Sequence, residues 1–83
     1  MKRLLLDAEV IEALESLPAR MRQMLWHRMQ DIGASPDRFA DYQEKTREGR
    51  EADVNVCGPF VIYFWDDFAD RDVKILALGL ADR

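Results

Sequence analysis

Eighty-three residues, 48% hydrophobic and 34% charged with a net charge of −4, make a chain too apolar for disorder and too interrupted by charge to cross a bilayer. A single cysteine excludes an intrachain disulfide and leaves a zinc site without its usual thiolates. The charge is uneven, with nine basic and nine acidic side chains in residues 1–50 but three basic and seven acidic in 51–83, so any nucleic-acid contact needs a local basic patch.

A chain of this size hides only about 60–65% of its unfolded surface, so one domain over 1–83 is expected, with a thin core that a second chain can reinforce. The opening Met-Lys-Arg-Leu-Leu-Leu reaches Asp7 and Glu9 after three apolar residues, too soon for a secretory signal, and a cytoplasmic location is expected.

Residues 2–6 form a short apolar run that predicts a brief strand. Asp7 then offers its carboxylate to the free amides of a helix start, and Glu9 suits the positive end of the helix dipole. Val10, Ala13, Leu14 and Leu17 fall on one side of a 3.6-residue wheel, which predicts a first helix up to Pro18. A second helix follows at once, with Met21, Met24, Leu25, Arg28 and Ile32 on its apolar face and Gly33 as a left-handed C-cap. Trp26 and Met29 sit at the margin of that stripe and widen it into a dimer or partner surface. His27 lies beside Gln23 and Gln30 on the wet face and reads as a solvated histidine.

Ser35-Pro36-Asp37 predicts one more helical turn over 36–41. The polar text from Tyr42 to Arg50 reads as an exposed loop. Ala52, Val54 and Val56 alternate with Asp53 and Asn55, the period of a strand with one wet face, and Cys57 reads as a small apolar strand residue. Gly58-Pro59 turns the chain. In the next strand Phe60, Ile62 and Phe64 oppose Val61, Tyr63 and Trp65, so both faces are apolar and the strand belongs in the middle of a sheet. Asp66, Asp67, Asp70 and Asp72 read as an acidic solvated turn, and Val73–Leu80 returns as a last strand with Lys74 its one charge. Helices first and strands afterwards place the chain in the α+β class: a short N-terminal strand, an αα-hairpin, then a three-stranded antiparallel meander.

That order, with Leu14-Glu-Ser-Leu-Pro-Ala-Arg20 at the start of the second helix and the end Val61-Ile-Tyr-Phe-Trp-Asp-Asp67 to Val73-Lys-Ile-Leu-Ala-Leu-Gly-Leu-Ala-Asp-Arg83, resembles the RelE/ParE superfamily of bacterial toxin–antitoxin toxins along essentially the whole chain. The resemblance implies an antitoxin protein as partner, needs neither cofactor nor metal, and leaves two activities open. One is ribosome-dependent cleavage of messenger RNA, in which basic side chains stabilise the phosphorane charge while another group moves the 2′-hydroxyl proton. The other is a non-catalytic protein-binding module, either a gyrase-inhibitor type or a degenerate toxin that binds only its antitoxin or forms a homodimer. Where relatives carry arginine in the first meander strand, Asp53–Tyr63 holds no basic residue. The resemblance therefore assigns the phosphate-binding role to Arg47, Arg50 and Arg83, with Lys74 completing the patch; Arg83 matches the arginine after the last strand, and Arg47 and Arg50 match by region.

Overall fold

A computed structural model describes residues 2–81. In chain order they form β1 (Arg3–Leu6), α1 (Ala8–Glu15), α2 (Ala19–Ala34), a 3-10 turn (Pro36–Phe39), β2 (Tyr42–Lys45), β3 (Glu51–Cys57), β4 (Phe60–Asp67) and β5 (Asp72–Leu80). The strands build one five-stranded sheet in the order β1-β5-β4-β3-β2. From β2 to β5 every neighbour is antiparallel, whereas β1 lies parallel to β5 with Leu4 opposite Val73 and Leu6 opposite Ile75. Among the described residues no helix is long and apolar enough to cross a membrane.

The helices cover one face of this sheet. Val10 and Leu14 of α1 and Leu25, Met29 and Ile32 of α2 meet Cys57, Phe60, Ile62, Phe64, Val73 and Ile75 in a single apolar core. Asp7 caps α1 as its residue type dictates, accepting a hydrogen bond from the Glu9 amide at 3.3 Å. Pro18 lacks the N–H that would continue that helix, and its carbonyl instead accepts the Arg22 amide in the first turn of α2. Cys57 is buried among apolar neighbours and His27 is exposed, both as their sequence contexts indicate.

The inward face of α2 is turned relative to the predicted one. Met29 is fully buried, while Met21, Met24 and Trp26 are exposed, so Met29 is core and not part of a partner surface. Gly33 explains the turn. It is an interior helix residue, not a left-handed cap; a Cβ there would stand 3.4 Å from Leu4 Cδ1, so its missing side chain lets β1 press close to α2. That approach draws the Met29–Gly33 side of the helix onto the sheet. The helix ends one residue later, because Ser35 precedes Pro36 and is pushed out of helical conformation at φ −148°.

The meander has a fourth strand. Tyr42–Lys45, expected in a loop, pairs with Glu51–Val54 at the sheet edge; all four side chains are exposed, so no apolar period marks the strand. In β3 the wet face is also different, since Asn55 is buried and Val56 is exposed. Asn55 points to the helix side, where its Oδ1 accepts from Arg28 at 2.9 Å and its Nδ2 donates to Asp41 at 3.1 Å. Asp41 also accepts the Val56 amide at 2.8 Å, taking the ladder position that β2 is too short to fill. Gly58 opens the tight β3–β4 turn at φ 59°, a conformation that favours glycine there. A register shift between Tyr63 and Phe64 leaves Leu76 as the extra residue of a bulge in β5.

Truncation on the two sides of α2 tests this packing. Met29→Ala is expected to lower unfolding free energy by about 2–5 kcal/mol, the range for opening a cavity at a buried large residue, and Met24→Ala by under about 1 kcal/mol; urea unfolding of both variants measures the difference, and equal losses would contradict the assigned face.

Candidate functional site

On the sheet face away from the helices, the strand register brings Lys74, Trp65 and Ala52 into one row and Ala77, Tyr63 and Val54 into the next. Small and aromatic side chains therefore floor this open face. The β2–β3 hairpin loop, residues 46–50, rises at its rim: the Thr46 amide donates to the Arg50 carbonyl at 2.7 Å, and Gly49 takes φ 83° to close the loop. Between the loop and the start of α1 lies a depression of about 920 Å³. Tyr63, Leu76 and Ala77 of the sheet line it together with Lys45, Arg47 and Arg50 and the carboxylate residues Asp7, Glu9, Glu44 and Glu48.

Arg47 and Arg50 thus share one depression, and among the described residues neither is in an ion pair. Arg50 places its guanidinium carbon 4.4 Å from the Trp65 ring centroid. Lys74 reaches the same ring at 5.2 Å but is held elsewhere by charge, with Nζ 3.0 Å from Asp67 and 3.7 Å from Asp70. Arg83 lies outside the described residues. Glu44 and Lys45 were not singled out for this site from sequence; Trp65 joins it through its place opposite Lys74 in the hairpin, which becomes visible once Asp67 is paired with Asp72.

The acidic turn is solvated at Asp70, but the carboxylates that flank it are not. Asp72 is 2% and Asp67 6% exposed. Arg3 Nε donates to Asp72 at 2.9 Å, Lys2 Nζ to Asp66 at 2.5 Å, and Lys74 Nζ to Asp67 at 3.0 Å. The hydrogen bond from Lys74 holds the Asp67 carboxyl below the ordinary aspartate value against the opposing effect of burial, and the same bond raises the Lys74 ammonium. Hydrogen bonding to Asp72 raises the Arg3 guanidinium in the same way. In the depression, burial first and the neighbouring Glu44 carboxylate second push the Tyr63 phenol above the usual tyrosine value.

Neither a protein-family profile nor a curated protein sequence matches the chain. Solved structures do. A chain of the archaeal RelE–RelB complex from Pyrococcus horikoshii OT3 superposes with a TM-score of 0.79 at 19% identity, covering 99% of this chain and 97% of that one. A chain of the intact Escherichia coli RelBE toxin–antitoxin complex gives 0.67 at 15% identity with full coverage of both. The isolated E. coli RelE toxin gives 0.69 at 15% identity, over all of this chain and 87% of that one. The α+β chain, with its helical pair on a sheet whose other face is open, has the RelE-like toxin fold.

The Asp67–Lys74 pair has a defined pH signature. A carboxyl lowered on folding contributes stability that is complete above the unfolded aspartate value, near about 4, and is lost as pH falls through the lower folded value. Asp67→Asn is therefore expected to lower the urea midpoint at neutral pH and to flatten its decline below pH about 4; an unchanged acid limb in the variant would show that this carboxylate is not the group responsible.

Proposed function

We propose that this chain is the toxin-type subunit of a toxin–antitoxin pair, bound and restrained by an antitoxin protein, and that its open sheet face docks a phosphodiester of messenger RNA between Arg47 and Arg50. The observation that carries the first part is the end-to-end likeness to chains of complexes described as RelE–RelB and RelBE toxin–antitoxin. The second part is supported by the placement of both arginines on one depression with no carboxylate bound to either among the described residues. Guanidinium groups there can stabilise charge developing on an attacked phosphate, while Tyr63 donates a hydrogen bond and Glu44 accepts the 2′-hydroxyl proton. In such a reaction the 2′-oxygen bonds to phosphorus as the P–O5′ bond breaks, leaving a 2′,3′-cyclic phosphate and a 5′-hydroxyl that takes its proton from water, so the protein's part is positioning, charge stabilisation and proton transfer.

A second reading is favoured by the charge of the same depression, in which four carboxylates face three cations. Each unpaired carboxylate near a phosphate is repulsive, and a module that binds only its antitoxin needs no compensation for them.

Inducing the chain in bacteria, alone and with the product of any small reading frame found adjacent to its gene, distinguishes the readings. The proposal expects arrested growth with messenger cleavage, relieved by the co-expressed neighbour. Arg50→Ala is expected to weaken both RNA binding and cleavage, whereas Glu44→Gln lowers cleavage with little change in binding. Unimpaired growth with a tight complex and intact messenger would instead establish the binding-only module, and unimpaired growth with no complex would remove both.

A further inference from the structure

The Arg50 side chain is long, belongs to an exposed hairpin loop and has no carboxylate partner among the described residues, yet its guanidinium lies over an aromatic ring. From this arrangement we infer that Trp65 is a positioning residue that holds the Arg50 guanidinium ready at the rim of the depression, and that the Asp67–Lys74 pair is what allows it to do so. This rests on the reading of the open face as a phosphate-binding surface.

The argument begins with the ring. Trp65 is half-buried in β4, and the register sets Ala52, a small buried residue, beside it on the same face, leaving the indole to lie across the sheet toward the loop. Arg50 immediately precedes β3, so its side chain starts from a rigid strand end. A guanidinium over an indole is attracted through its face, while its N–H donors radiate in its own plane. Stacking therefore leaves the phosphate-recognising edge available. It also removes rotamer freedom before any ligand arrives, freedom that an unsupported arginine would lose on binding.

A second cation on the same ring would ordinarily oppose the first, and Lys74 is 5.2 Å from the Trp65 centroid. Its charge, however, is compensated by Asp67 at 3.0 Å and Asp70 at 3.7 Å. The carboxylates of the β4–β5 turn thus screen Lys74 from Arg50, linking a half-buried ion pair to the geometry of an arginine on the other side of the indole's strand. Lys74 acts here as a scaffold for the ring and not as a phosphate ligand.

Two measurements on the intact chain test this. In the wild type, the Arg50 δ and ε protons are expected to be shifted by the indole ring current in NMR spectra; Trp65→Leu should return them to unshifted positions, and Trp65→Phe should retain part of the displacement. With a short single-stranded RNA oligonucleotide as probe, Trp65→Leu is expected to weaken binding by about two- to fivefold, the equivalent of an exposed cation–π contact. Arg50→Ala should reduce the salt dependence by about 0.7 in slope, as expected for one lost phosphate contact. The double variant should bind no worse than Arg50→Ala alone, and Trp65→Phe should rescue. Losses that add in the double variant, or unshifted Arg50 protons in the wild type, overturn the inference. If the wild type fails to bind the oligonucleotide, the phosphate-binding reading is lost while the ring-current shift still decides whether Trp65 orders Arg50. Where Trp65→Leu does not fold, Asp67→Asn with Asp70→Asn keeps the ring but removes both carboxylates that pair with Lys74, and an Arg50 signal unchanged in that variant counts against the screening role.

Discussion

The parallel pairing of β1 with β5 is the constraint on which the rest of the molecule depends. It joins the two ends of the described chain, and its partners are separated by about seventy residues, so closing it costs chain entropy that local hydrogen bonds alone do not recover. The compensation is visible on both sides of the strand. Leu4 and Leu6 pack against the apolar core beneath α2, with Gly33 allowing the close approach, while Lys2 and Arg3 bind Asp66 and Asp72 at the far end of the β4–β5 hairpin. With β1 in place, the sheet gains the width that lets both helices lie across a single face and leaves the other face without a covering element.

The same pairing accounts for where charge is spent. The sheet half of the chain carries an excess of carboxylates, which in isolation argues against contact with a polyanion. Folding gathers Asp66, Asp67, Asp70 and Asp72 to one end of the sheet, where Lys2, Arg3 and Lys74 neutralise them. Net charge is consequently a poor guide to the electrostatics of the open face. What matters there is the hairpin loop, whose arginines come from the N-terminal, charge-balanced half, and the four carboxylates that share the depression with them. The arrangement concentrates the balance between an RNA surface and a protein-only surface into a few side chains.

Much of this was legible from residue order. The aromatic and β-branched run from Phe60 to Trp65 is apolar on both faces because β4 is the central strand, and Asp7 and Pro18 bound α1 for reasons of hydrogen bonding that no tertiary context overrides. Other features were hidden for identifiable reasons. β2 is exposed throughout, so backbone pairing gives its side chains no period to display. On α2, Met24 and Met29 flank the apolar stripe from opposite sides, and the choice between them is made by the contact of Gly33 with Leu4, a residue on another element. Asp66 and Asp72 read as solvent-facing in the sequence because their partners Lys2 and Arg3 lie more than sixty positions away. For the site, Arg47 and Arg50 share the predicted region, but the stack of Arg50 on Trp65 joins a loop to a strand two elements on and depends on the register of an intervening ladder.

The short outer strand β2 has a further consequence. An unpaired sheet border is an invitation to any extended polypeptide, including other copies of the same molecule, and continuous growth from it leads to fibres. Gln43, Glu44 and Lys45 place polar and charged side chains along most of that border, and its ladder is closed by the Asp41 carboxylate after only four residues. The frontier therefore discourages indiscriminate recruitment while leaving a brief hydrogen-bonding ledge, one that accepts a newcomer only when it carries complementary charge.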